Sequence, residues 1–247
     1  MRFSPNDHEM SVSHSEDRIY LNTIHGEGVS LKLYEVRDVQ LGGNDKKTKI
    51  VARFVDKDGV ENNEDIQMVV REASVVEDNF FVNEKEGMPD ALKYFERWKF
   101  LRDIGLPVVP NVVVLDGNRV AMTDLAVNGA EFFGKAREWK LFRSEEEDLS
   151  EVESAFLKLN FSEVTKEIER IRKICIEKHL RLAWDDPLDL LVYPDGKFKV
   201  FVIDIQGTNP GEYNDGTRFG EDPLEYFEEL MRTIKRELGY KKGTDKN

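Results

Sequence analysis

The 247-residue chain carries 49 acidic against 36 basic side chains, a formal net charge of −13. Such a field repels a phosphate backbone, and the one basic doublet noted, Lys241-Lys242, is too small to reverse it, so nucleic acid is not an expected partner. Apolar residues at 40% and aromatics at 10% suffice for a sizeable core, in one large domain or two packed lobes, while 34% charged residues give a densely ionic surface. Cys175 is the single cysteine, which excludes an intrachain disulfide and a paired-cysteine metal site. His8, His14, His25 and His179 are scattered singly and offer no ligand spacing. With no leader-like segment and no long apolar run, a reducing cytoplasmic setting without a membrane partner is expected.

Residues 1–17 are polar and read as a flexible tail. From 18 to 75 the chain reads as β-structure. A short strand through Ile19, Tyr20, Leu21 and Ile24 is followed by VSLKLYEV, KIVARFV and MVVREASVV, each near the two-residue alternation of a pleated strand. The segments LGGNDKK (41–47) and VDKDGVENNED (55–65) are Gly/Asn/Asp turns between them. Pro89 opens a helix on which Leu92, Phe95, Trp98 and Leu101 recur at helical spacing, with Phe95 and Trp98 read as core. Gly105 supplies the expected left-handed cap, and Pro107 forbids continuation. NVVVLD and RVAMTDL then read as strands joined at Asp116-Gly117-Asn118.

Beyond Leu125 the character turns helical. SEEEDLSEVESAFLKL begins with an acidic run, Glu145 to Asp148, suited to the positive end of a helix dipole and to solvent. In FSEVTKEIERIRKICIEKHL, Val164, Ile168, Ile171 and Cys175 share one face, so Cys175 reads as a buried small hydrophobe. Ser162 is the expected cap of that helix, and His179 sits near its negative end. LDLLVY and KFKVFVID form a hairpin around Pro194-Asp195-Gly196. A last helix over 222–238 carries Leu224, Phe227, Leu230, Met231 and Ile234 and is expected to end at Gly239. This order is not the regular β-α-β-α of a dinucleotide-binding sheet. Neither GxGxxG after a strand nor GxxxxGK[ST] occurs, so Asp204 to Gly207 does not stand as a GTPase motif.

From about Val29 onward this order and several segments resemble the protein kinase-like superfamily, which includes small-molecule kinases. LGGNDKKT takes the place of the glycine-rich loop, with Gly42 and Gly43; MVVREAS looks like the third strand, with Arg71 where the family has lysine. ALKYFERWKFLRDIG resembles the helix whose glutamate pairs with that lysine, making Glu96 the counterpart. NRVAMTDLAVNG resembles the fifth strand and hinge, with Met122 as gatekeeper and Asp124-Leu125 beside the adenine. Aligning PLDLLV and IDIQG puts Asp189 and Asp204 at the magnesium ligands. Trp184 then stands where the catalytic aspartate belongs, and Asp186, two residues on, is the candidate base.

The resemblance implies an α+β, two-lobed kinase-like fold, with an antiparallel N-lobe over 18–125, a mostly helical C-lobe over 126–240 and a flexible tail over 241–247. It also implies ATP- and Mg²⁺-dependent phosphotransfer to an unidentified small-molecule or protein acceptor. Phosphoryl transfer is mainly positioning and charge neutralisation, so metal-holding carboxylates and a phosphate-steadying cation are the required parts. Plainer roles compete: Asp185, Asp186 and Asp189 as turn or cap residues, Arg71 with Glu96 as a surface pair, Met122 as core. Asp204 ends the apolar run VFVI, where a carboxylate is costly unless paired, which favours a functional role for it. The alternatives in function are a pseudokinase scaffold, favoured by Trp184 and Arg71, and an acidic interaction protein with no nucleotide site.

Overall fold

The computed structural model describes residues 13–15, 18–21, 30–40, 46–55, 60, 63–73, 87–115, 117–143, 149–183, 187–211 and 222–244. Gly42, Gly43, the acidic run 145–148, Trp184, Asp185 and Asp186 lie outside them. Among the described residues the chain is α+β, with antiparallel sheets and five helices. It divides into two compact units, Met1–Trp98 with Val109–Asp124 and Lys99–Val108 with Leu125–Asn247.

The first unit is built on a seven-stranded sheet. Its strands are β1 (Ser13–Ser15), β2 (Arg18–Leu21), β3 (Ser30–Gln40), β4 (Lys46–Val55), β5 (Ile66–Glu72), β6 (Val112–Val114) and β7 (Arg119–Thr123), in the order β1-β2-β3-β4-β5-β7-β6. Ser13–Ser15 fall in the stretch read as a tail, yet they pair with β2. Alternation sorts side chains as the sequence suggests: Ile50, Ala52, Met68 and Ala121 turn to one face and are buried with Val113 and Leu115. Helix α1 (Asp90–Asp103) enters between β5 and β6 in sequence. Its start is tied to the β6–β7 turn by Ala91 N–H donating to Gly117 O at 3.1 Å. Its end closes as expected: Gly105 at φ 88° lets its N–H reach Arg102 O (2.9 Å) while Leu106 N–H reaches Leu101 O (3.0 Å).

The second unit holds a three-stranded sheet in the order β11-β10-β8, made by β8 (Glu131–Phe133), β10 (Leu188–Val192) and β11 (Phe198–Val202). A small pair joins β9 (Leu180–Arg181) to β12 (Asn209–Pro210). The helices are α2 (Lys135–Arg143), α3 (Glu151–Leu157), α4 (Phe161–Glu177) and α5 (Pro223–Thr244). Sequence alone does not separate β8 from α2, because EFFGKAREWK has no long period of either kind. Both faces of the hairpin are covered: Leu188, Leu190, Val200 and Val202 on one side, Leu191 and Phe201 with Ala130 on the other.

Caps account for the helix starts. Ser150 and Glu153 close a reciprocal capping box on α3. Asn160 rather than Ser162 caps α4: its side chain accepts from Ser162 N–H at 3.2 Å, so Ser162 is already inside the first turn. Asp222 caps α5, with Pro223 in the first helical position where its missing N–H is not needed. The expected stop at Gly239 is overridden, because α5 runs through it to Thr244. A single glycine costs a helix only about 1 kcal/mol, and the buried row Leu230, Ile234 and Leu238 anchors the turns before it.

Candidate functional site

In the first unit Arg71, Met122 and Asp124 gather at the second face of the sheet. Register sets Lys49 opposite Val69 and Val69 opposite Met122, so the three stand in one row across β4, β5 and β7. Arg71 lies two residues along β5, hence on the same face. Lys49, Val51, Val69, Arg71 and Met122 are each half-buried, whereas the opposite face is sealed. Asp124 follows β7 and is held by its own N–H donating to Gln67 O at 2.8 Å. Its carboxylate, 6% exposed, accepts from Lys49 Nζ at 2.5 Å. A carboxylate this buried needs a paired charge, and Lys49 supplies one.

Lys49 belongs to no motif in the sequence. The signal for it was present in KIVARFV, where alternation places it on the face of Val51 and opposite to that of Ile50, but only register shows what it meets. Arg71 does not turn to Glu96: among the described residues no ion pair joins them. The guanidinium lies over the Tyr94 ring of α1, 5.9 Å from its centroid, a cation–π distance. Glu96 is half-buried two residues further along α1, on a different side of the helix from Tyr94. Leu125 belongs to the second unit, where it packs against Ala130, Leu191 and Phe201.

In the second unit Asp189 sits on β10 directly opposite Phe201. Its Oδ1 occupies the space of a Cβ on Gly134, 1.7 Å from where that atom would lie. Gly134 accepts from the N–H groups of Arg137 and Glu138 and so begins α2. The Asp189 carboxylate therefore lies at a helix N-terminus, where negative charge is favoured, and only glycine leaves room for it. Asp204 lies beyond the end of β11 and is half-buried. Its Oδ1 accepts from Gly207 N–H at 2.8 Å, and Thr208 Oγ1 donates to its carbonyl at 2.8 Å. Gly207 is again constrained, since a Cβ there would lie 2.7 Å from Asp204 Oδ2 and 2.8 Å from Ala183 Cβ.

Asp189 and Asp204 are not brought together by the hairpin. The ladder pairs Leu188 with Val202 and Asp189 with Phe201, and continues as Ile203 N–H donating to Pro187 O at 3.1 Å. Asp204 thus lies past the last ladder pair, three residues beyond the partner of Asp189. One carboxylate lies at the start of α2 and the other accepts from the N–H of its own turn. Among the described residues no group of three or more acidic, histidine or cysteine side chains is placed to hold a metal. No protein-family model, curated protein or solved structure gives a significant match to the chain. Among the described residues no helix is long and apolar enough to cross a membrane.

The remaining buried ionic groups of the second unit serve architecture. Arg137 of α2 reaches Glu131 at 2.8 Å and Glu153 at 2.6 Å, linking β8 and the α3 cap. Asp222 meets Arg172 at 3.3 Å. Burial first, and then the Asp222 carboxylate, push the Cys175 thiol up to about 12, so it stays protonated and unreactive.

Proposed function

We propose that this chain is a nucleotide-binding protein of the kinase-like type, with ATP-dependent phosphotransfer to a small-molecule or protein acceptor as its activity. The observation that carries the reading is the half-buried sheet face on which Lys49, Val69, Arg71 and Met122 stand together beside Asp124. It combines an apolar strip for a base with two cations for phosphate oxygens. The order β3-β4-β5-β7-β6 supports it, because the strand read as the third pairs directly with the strand read as the fifth, with α1 inserted between them in sequence. In the second unit the sequence α4, β9, hairpin, Asp204 to Gly207, then β12 returning to pair with β9 supports it as well.

Roles follow from this reading. Arg71 and Lys49 would steady phosphates, and Met122 and Asp124 would border the base. When bound, Mg²⁺ would neutralise phosphate charge; Asp204 is the carboxylate assigned to it, without Asp189. Asp186 stays the candidate base, a residue outside the described part of the chain, as are Gly42 and Gly43. The second reading is a pseudokinase that binds nucleotide without turnover, favoured by Arg71 lying on Tyr94 and Asp189 on Gly134.

The test is a thermal-shift titration with ATP, Mg²⁺, and both together, on the parent, Arg71→Ala and Asp204→Ala. A ligand at a hundredfold excess over Kd adds about 2.7 kcal/mol, which such a titration resolves. A shift with ATP that Arg71→Ala removes supports the site, and ADP release that Asp186→Asn abolishes separates the enzyme from the pseudokinase. Absence of a shift in every combination sinks both and leaves an acidic interaction protein.

A further inference from the structure

Strand β11 is an edge of the three-stranded sheet, and its hydrogen-bonding direction is fixed by its neighbours. Tyr193 N–H donates to Lys197 O at 2.9 Å and Ile203 N–H to Pro187 O at 3.1 Å, so residues 197, 199, 201 and 203 direct their backbone groups to β10. Phe198, Val200 and Val202 therefore direct theirs away from the sheet. At Val202 that outward N–H is taken by Pro107 O at 2.7 Å. At Phe198 and Val200 nothing among the described residues takes the amide or the carbonyl. The Val200 residue is only 2% exposed, which makes unpaired backbone groups there costly.

Space lies along this same edge. A trough of about 350 Å³ runs between Phe198–Phe201 on one wall and Glu163, Glu167 and Pro107 on the other. It shares Glu163, Phe198 and Lys199 with a second hollow of about 630 Å³, bordered also by Lys158 and Lys197. Charges along it are unevenly committed. Glu167 is held by Arg170, Glu163 accepts from Asn160 Nδ2, and Lys197 pairs with Asp195. Lys158 and Lys199 have no partner among the described residues, in a chain of net charge −13.

We propose that the open edge of β11 accepts an extended acidic segment of a partner protein as an added strand. The backbone of the segment would satisfy Phe198 and Val200, continuing the pairing that Pro107 begins at Val202, and a carboxylate on it would face Lys199 and Lys158. Main-chain bonds give such a site its affinity, and the cross-strand charge pair gives it selectivity. Two outward residues fit a segment of about three to five residues at roughly 3.4 Å per residue. This proposal is independent of the nucleotide reading, because it uses none of the residues assigned there.

The test is amide hydrogen exchange on the full chain, alone and with capped pentapeptides that alternate valine with glutamate or valine with lysine. In the chain alone the Phe198 amide should exchange faster than those of Lys199 and Phe201, with the buried Val200 amide between them. The glutamate peptide should slow the Phe198 and Val200 amides, and the lysine peptide should bind about tenfold more weakly. Phe198→Pro removes an outward N–H at the first residue of an edge strand, where proline is tolerated, and should weaken peptide binding without unfolding the chain. Lys158→Glu combined with Lys199→Glu should reverse the peptide preference. The proposal is overturned if both amides are already protected in the chain alone, or become so only with rising protein concentration, which would make a second copy the occupant. It is equally overturned if neither peptide slows them, or if Phe198→Pro binds the glutamate peptide as well as the parent.

Discussion

The two sheets treat their charged residues in opposite ways. On the seven-stranded sheet one face is sealed by apolar side chains, while the other keeps Lys49 and Arg71 half-buried beside Met122. On the three-stranded sheet both faces are covered, and Asp189 has been absorbed into the start of α2. A residue type that matches a catalytic pattern is therefore not enough. What separates the two is whether the surrounding backbone leaves the side chain anything else to do. Asp189 has Gly134 beneath it, whereas Arg71 has only an aromatic ring, which holds a cation loosely enough to release it.

The largest effect should come from the interior of the second unit. The native Cys175 thiol holds its proton up to about pH 12, while an unfolded chain loses it near 9. Between those values the native state binds more protons, so stability falls as pH rises. Denaturant unfolding should show the parent losing about 4 kcal/mol relative to Cys175→Ala across that window. Equal slopes for the two would mean that the thiol is not sealed. Next, Glu153→Ala should cost about 3 kcal/mol, because it bares the Ser150 N–H and takes one of two carboxylates from the buried Arg137.

A double-mutant cycle sharpens the contrast further. Gly134→Ala should destabilise by about 2 kcal/mol by displacing the Asp189 carboxylate, and Asp189→Ala in the same chain should return part of that loss. Independent, additive costs would show that Asp189 is free for another role. In the first unit Lys49→Met should cost about 2 kcal/mol by taking the lysine charge from the buried Asp124 carboxylate, and Arg71→Ala less than about 0.5 kcal/mol. One substitution should bring a gain. His179 takes φ 50° just past the end of α4, and His179→Gly should raise stability by about 1 kcal/mol, read as a shift in Tm.

Legibility followed range along the chain. The α4 face of Val164, Ile168, Ile171 and Cys175, the Gly105 cap and the turn at 194–196 were all readable, because each rests on neighbours a few residues apart. Ser162 missed the true cap by two positions, since asparagine and serine both suit it and the choice depends on the approaching chain. Asp189 read as a metal ligand because the local string PLDLLV matched a pattern, while the glycine beneath it comes from position 134.

The sequence by itself determined the α+β character, the turn at 194–196, the face of α4 and the net charge, since composition and short periodicity reflect local sterics and solvent. Tertiary structure decided which strands meet and in what register. Lys49 and Asp124, 75 residues apart, form an ion pair only because β5 pairs with both β4 and β7. The open backbone of Phe198 and Val200 likewise exists only because Leu188 faces Val202, which fixes every second amide of β11 outward. A shift of one residue in either register would turn those groups to the other side, and no local signal in the chain specifies against it.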